Sequence, residues 1–444
     1  MNEESHINAA LEWLFATSDN PLELAERIEC ARQYYRLHTE CLNGRWSTRD
    51  PFDGYGDRMA VILTQAVASL RDRRTYDVEL ASQTLPFIVA IGSQIDELRR
   101  IQGADDRARR MLRPSEDHPE SGIFELVAAL RYTQEPGLHV AFIPESSKRT
   151  ADFRVFADGD DGQGIHVECK RLKPSSYEAN ETRLAYNILN RVNDYVHEQK
   201  ISLVVDVTFS AELAKIPEDY ILNKVRIVCE SPILLSGSYP WRDEFGEGVV
   251  RPSDLISVHR DIRDSSLLLG SKLARLLAGG ERLEEQFHLV CGGTPRLEDT
   301  RFIDEIEYGS AIFWRCLAEQ SIEARARHIR SKLADIDRQV SSAPFAIAHI
   351  GMDVERDPVT ADRRRERNMS TAATFRSQSQ LIELDLHYFM PRVSEVVNWM
   401  IDETVEPYSR MSFGPFLSGA GRLLAGTADG LIEHQPAWRQ KVPL

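Results

Sequence analysis

The stretch that most constrains this chain is GIHVECKR, residues 164–171, because its side chains alternate with a period of two. Ile165, Val167 and Cys169 fall on one side of such a strand, and His166, Glu168 and Lys170 on the other. One face is therefore apolar, while the other carries a carboxylate and an ammonium two residues apart. Immediately upstream, TADFRVFAD over 150–158 places Phe153 and Val155 opposite Asp152. The intervening DGDDGQG has the composition of a turn, so the two strands are expected to fold into a hairpin. That hairpin sets Asp152 beside Glu168.

Two carboxylates converging from neighbouring strands make a hard-oxygen site suited to Mg²⁺ or Mn²⁺, with water and a phosphate oxygen filling the remaining positions. A cation held there polarises a phosphoryl group and lowers the pKa of bound water. Lys170 shares the face of Glu168 and is placed to orient or deprotonate the attacking water and to offset transition-state charge.

These residues resemble the signature of the PD-(D/E)xK, or restriction-endonuclease-like, nuclease superfamily: an Asp, a hairpin, then Asp/Glu-x-Lys. Here the signature stands as Thr150-Ala151-Asp152 and Glu168-Cys169-Lys170. The resemblance spans 119–208 and includes a helix before the first core strand, on which Glu125 of GIFELVAAL matches an acidic position that faces the metal. It implies catalytic roles for Asp152, Glu168, Lys170 and Glu125. It also implies metal ligation by Asp152, Glu168, Glu125 and the backbone carbonyl of Cys169. Ala151 stands where the family name has Pro, and no match to the Gln-and-Tyr motif of the exonuclease branch is found, so cut polarity stays open.

The expected fold class is α/β: a restriction-endonuclease-like core with a mixed central sheet flanked by helices, preceded by an all-helical domain. Apolar spacing of three and four residues predicts helices over 7–16, 22–37, 58–72 and 79–100, giving a helical unit at 1–113. Residues 114–122, with Pro, Ser and acidic side chains gathered, read as a linker. The core is assigned to 119–210: a helix at 122–133, strands at 138–143, 151–157, 164–171 and 201–208, and a helix at 178–199, one stripe of which packs on the core sheet. Residues 211–444 hold the remainder, with 217–230 helical, an insertion at 231–260 with one or two strands, and a helix before FHLVCGG. The helix and strand at 318–352 are candidates for the core sheet, in company with 201–208. Residues 353–372 are expected to be charged and mobile, 373–390 and 393–403 to be strand or helix, and GAGRLLAG near 419–426 to be a turn.

Charge bounds the partners. With 54 basic against 69 acidic residues the formal charge is −15, which repels a polyanion except where basic side chains cluster or cations intervene. Nucleic-acid contacts are expected at Lys148, Arg149, Arg171, Lys173, Arg183 and Asn187, with DNA preferred to RNA and contacts that position the backbone without reading bases. Six cysteines without CxxC spacing read as reduced thiols, and the start lacks the basic and apolar runs of a secretion signal. A cytoplasmic protein without membrane association is the expectation, working alone, as a homo-oligomer or with a defence-system partner. By family analogy the setting is bacterial restriction or phage defence. Three rival readings stand beside this: an RNA-directed nuclease, a non-catalytic binding or assembly protein on the same scaffold, and a plain surface ion pair between Glu168 and Lys170 on an edge strand.

Overall fold

A computed structural model describes residues 3–39, 44–47, 52, 54–72, 75–144, 150–159, 164–230, 237–261, 271–279, 286–298, 303–354, 358–392, 400–410, 421–424 and 436–439. The chain begins with α1 (Glu3–Thr17) and α2 (Pro21–Thr39), a short strand β1 (Arg45–Ser47), then α3 (Arg58–Arg71), α4 (Val78–Ser93), α5 (Ile95–Arg100) and α6 (Ala104–Met111). Next come α7 (Pro119–Thr133), β2 (Leu138–Phe142), β3 (Phe153–Ala157), β4 (Ile165–Arg171), α8 (Ser176–Gln199) and β5 (Leu203–Phe209). The sequence continues through α9 (Tyr220–Cys229), β6 (Tyr239–Arg242), β7 (Gly246–Pro252), α10 (Leu255–Asp261), α11 (Ser271–Leu277), β8 (Gln286–Pro295) and β9 (Ile303–Cys316). Last are α12 (Glu319–Gln339), β10 (Ala346–Asp353), α13 (Pro358–Thr374), β11 (Leu381–Arg392) and β12 (Met400–Ser409).

The strands form two six-stranded mixed sheets flanked by helices, an α/β arrangement. The first runs β12-β11-β10-β4-β3-β2, with β10 parallel to both β4 and β11 and the remaining pairs antiparallel. The second runs β1-β8-β9-β5-β7-β6, with β5 parallel to β9. The hairpin predicted at 151–171 is present, with Phe153 opposite Val167 and Val155 opposite Ile165.

The two sheets correct the expected membership of the core. β5 and the apolar stripe of α8 belong to the second sheet, where Ile188, Val192 and Val196 pack with Val205 and Val207. Residues 345–352 and 201–208 therefore lie in different sheets, and β4 finds its parallel neighbour in β10. LVVDVTF is nearly continuous in apolar and β-branched side chains, which marks an interior strand without saying which sheet it joins. Residues 358–374 are a helix, not a mobile charged run: Arg364 pairs with Glu178, and Arg365 with Glu406, so the charges dock the helix. β9 was not anticipated. Half of GAGRLLAG, with residues 262–270 and 393–399, lies outside the described residues.

One hydrophobic core joins the N-terminal helices to the first sheet. Leu14, Leu63, Leu85 and Ile91 share it with Phe124 and Leu126 of α7 and with Phe153, Val167, Ile347 and Phe389 of the strands. Of the residues expected as a linker at 114–122, only 114–118 lie between α6 and α7; 119–122 are the first turn of α7, and the core is continuous across the connection. α7 is consequently buried almost all round, from Ile123 to Tyr132, as its apolar composition requires. The opposite face of the sheet, with Ala348, Ile350, Leu384 and Leu386, is covered by Ile329, Leu333 and Ile336 of α12.

Candidate active site

β4 lies between β10 and β3, so both its edges are paired, and with helices packed on the two faces of the sheet Glu168 is wholly buried. This removes the reading of Glu168 and Lys170 as a surface pair on an edge strand. Ala348 of β10 stands opposite Glu168, and the Lys170 ammonium pairs with a Glu168 carboxylate oxygen. On the other side the hairpin register brings Asp152 level with Glu168: the Asp152 amide donates to the Val167 carbonyl at 3.1 Å. The Asp152 carboxylate then turns over the strand, its Oδ2 accepting from the Cys169 amide at 2.8 Å.

The third acidic group arrives from α7. Pro119 begins this helix at a position where a missing N–H costs nothing, and Glu120 complements its positive end. Glu125 is 7% exposed, and its Oε2 lies 3.0 Å from Nε of Arg107, whose Nη2 reaches Asp152 Oδ1 at 3.3 Å. Arg107 thus bridges two of the candidate carboxylates. Its placement follows from how the edge of the sheet is closed. The Phe142 amide donates to the Gln102 carbonyl at 2.9 Å, covering the edge of β2. Gly103 then turns the chain at φ +85°, where an added Cβ would also lie 3.0 Å from Phe142, and α6 starts with Arg107 one turn in.

The electrostatics follow from burial. Desolvation, and after it the charge of Asp152, raises the Glu168 carboxyl to a pKa of about 8. The same two causes push Glu125 well above the ordinary carboxylate range, against the pull of Arg107. Burial alone would lower Lys170, but the charges of Glu168 and Asp152 outweigh it and hold the ammonium above its usual pKa. Burial, with Asp152 next, also raises the Cys169 thiol well above normal, so it is no nucleophile at neutral pH. Glu168 Oε2 is buried with no hydrogen-bond partner among the described residues. A carboxylate oxygen left that way costs a few kcal/mol unless something positive meets it. Three acidic side chains with one such oxygen are donors of the type a hard divalent cation takes, but among the described residues their oxygens do not form a group lying wholly within 4.8 Å of one another.

Asp152, Glu168, Lys170 and Glu125 are therefore brought together. The expected nucleic-acid contacts are placed less uniformly. Arg171 faces away from Glu168, pairing with Asp353 at 2.5 Å and lying 4.9 Å over the ring of Phe389. Lys173 donates to the Asp117 carbonyl at 2.8 Å on the exposed surface. Arg183 donates to Asn180, and it and half-buried Asn187 stand on α8 against the second sheet. Lys148 and Arg149 lie outside the described residues. Arg107 is not among the candidate residues the sequence singles out. Nothing in its spacing signals a partner 45 residues away. Also unanticipated is a buried polar group formed by Tyr132, His349, Asp385, His387 and Glu403, although a lone His in AIAHIGM and the charges in LDLHYF mark it in retrospect.

No protein-family model matches this chain, and no curated protein matches it.

Proposed function

We propose that the protein is a metal-dependent phosphodiesterase of the PD-(D/E)xK type. Within that class we assign it to nucleases acting on DNA, as an endonuclease in a bacterial restriction or phage-defence setting, the last by analogy with the resembling superfamily. The observation that carries the reading is that a hairpin and a separate helix bring Asp152, Glu168, Lys170 and Glu125 into one mutually interacting cluster, with a buried Glu168 oxygen that has no hydrogen-bond partner among the described residues.

Asp152, Glu168 and Glu125, with the Cys169 carbonyl implied by the resemblance, would hold Mg²⁺ or Mn²⁺. When bound, the ion supplies Lewis-acid polarisation of the phosphoryl oxygen and a lowered pKa for water. Glu168 anchors Lys170 by their ion pair, and the ammonium offsets charge developing on the phosphate oxygens. Because neighbouring carboxylates hold its proton tightly, Lys170 serves better as a fixed cation that orients water than as a free base. Arg107 balances the charge of Glu125 and Asp152.

The test incubates purified protein with supercoiled plasmid, single-stranded DNA and RNA, in Mg²⁺, Mn²⁺ or chelator. Cleavage of plasmid that needs the ion and disappears in Asp152→Asn and Lys170→Ala supports the reading. Cleavage confined to RNA would move the substrate class. Cleavage that persists in both variants, or no cleavage by the wild type with any polymer, would remove it.

A further inference from the structure

On the face of the first sheet opposite Glu168, beneath α7, lies a second cluster. β10 and β11 run parallel with His349 opposite Asp385 and Gly351 opposite His387, so the three polar side chains share one face two residues apart. His349 and His387 are wholly buried and Asp385 is 1% exposed. His349 Nδ1 lies 2.8 Å from His387 Nε2 and 3.5 Å from Asp385 Oδ2, and one ligand atom from each residue falls within 4.8 Å of the others.

The outer nitrogens of both rings are engaged. His387 Nδ1 lies 2.6 Å from Glu403 Oε1, and the other Glu403 oxygen accepts from the Leu423 and Leu424 amides at 2.9 and 2.8 Å. With a carboxylate there, His387 donates from Nδ1 and turns a bare Nε2 inward. His349 Nε2 lies 2.8 Å from the Tyr132 hydroxyl, which can either donate or accept. With no cation, the relay closes only if His349 gives its Nδ1 proton to His387 and accepts from Tyr132. That arrangement satisfies both rings and leaves Asp385 stranded: neither of its oxygens has a hydrogen-bond partner among the described residues.

We propose that His349 Nδ1, His387 Nε2 and the Asp385 carboxylate form a buried site for a transition-metal dication of the Zn²⁺ class. Two imidazoles and a carboxylate select such an ion over Mg²⁺. Donors at about 2.0–2.2 Å from one centre stand roughly 3.3–3.5 Å apart; His349 Nδ1 and Asp385 Oδ2, at 3.5 Å, already have that spacing, and the two ring nitrogens, at 2.8 Å, would open by about half an ångström on loading. In the loaded site the Tyr132 hydroxyl accepts from His349 Nε2–H, Glu403 accepts from His387 Nδ1–H, and Asp385 gains the partner it lacks. Such carboxylate and hydroxyl contacts to the far nitrogen are the usual orienting shell of a metal-bound histidine. Among the described residues all three donors are buried, as suits a structural ion. Tyr132 follows Glu125 by two helical turns on the same face of α7, so the ion fastens to β10 and β11 the helix that carries Glu125.

This proposal does not depend on nuclease activity. The full-length protein is equilibrated with Zn²⁺ or Co²⁺, freed of loose ion by gel filtration, and assayed for retained metal by mass spectrometry. The Co²⁺ form is also read for tetrahedral d–d absorption. The expected result is one equivalent retained by wild type and by the double variant Asp152→Asn/Glu168→Gln. Asp385→Asn and His387→Gln should lose it, and chelation should lower the Tm of wild type but not of Asp385→Asn. Asp385→Asn decides the matter if His387→Gln fails to fold, because Asp385 takes no part in the relay that holds the metal-free rings. No retained ion in wild type, or undiminished retention in Asp385→Asn, overturns the proposal.

Discussion

Glu168 makes a large electrostatic demand at the candidate active site. Its carboxyl is fully buried, raised to a pKa of about 8, and held by a lysine that is itself partly buried. Replacing Lys170 by Ala or Glu168 by Gln is expected to lower cleavage by at least about a hundredfold, with the circular dichroism spectrum unchanged for Glu168→Gln. Single-turnover assays with plasmid measure this, and wild-type rates in both variants would contradict the assignment. Arg107 belongs to the same scale. Arg107→Met leaves Glu125 and Asp152 without their buried partner, and in chelator it should cost about 3–5 kcal/mol of stability by urea titration. Mn²⁺ should restore part of that loss, since a divalent ion replaces the guanidinium as countercharge. A third residue answers to pH. Burial lowers the His288 pKa to about 4, so the unfolded chain takes up its proton first as pH falls below about 6.5. The neutral ring's contribution is complete above that value and is lost as pH falls toward 4, by at most about 3 kcal/mol. His288→Gln should flatten the stability profile in that window; an unchanged slope would assign the acid sensitivity to other groups.

At the scale of elements, close packing decides. A Cβ on Gly92 of α4 would fall 1.8 Å from the His6 carbonyl oxygen of α1, against backbone that cannot swing aside. Gly92→Ala should therefore force the two helices apart and destabilise the protein by about 1–3 kcal/mol or more, a loss visible as a lowered Tm. The hairpin of β3 and β4 and the helix before it were legible in the sequence because their alternation and three-to-four spacing are local, and so were the four charged residues that meet there. The partner of β4 was not. β10 reaches it across some 180 residues, and a buried parallel strand advertises only that it is interior. α13 escaped because its arginines read as solvated until Glu178 and Glu406 are seen beside them. β9 escaped because its acidic first half hides the strand pattern. His349 and His387 stayed silent for the same reason as Arg107: side chains that meet only through tertiary structure leave no spacing to find.

At the scale of the whole molecule, the N-terminal helices form part of the first sheet's core. Removing residues 1–113 would strip Leu85, Ile91 and Leu98 from α7 and expose Phe124, Phe142 and Phe389. A fragment starting at residue 114 is expected to be insoluble or to lack cooperative melting, and a soluble, sharply melting fragment would refute a shared core. The two sheets are also tied together. Glu181 of α8 and Arg325 of α12 form a buried ion pair, with Ser321 donating to the same carboxylate at 2.5 Å.

The late arrival of β10 has a consequence for synthesis. A ribosome that has translated as far as residue 200 has already made Glu125, Asp152, Glu168 and Lys170, yet the strand that walls Glu168 on one side is still unwritten. Non-local parallel pairing is slow to form and must wait for the distant segment. A nascent or prematurely terminated chain therefore carries the four candidate side chains without the pocket, and the candidate site is not assembled until translation has passed β10.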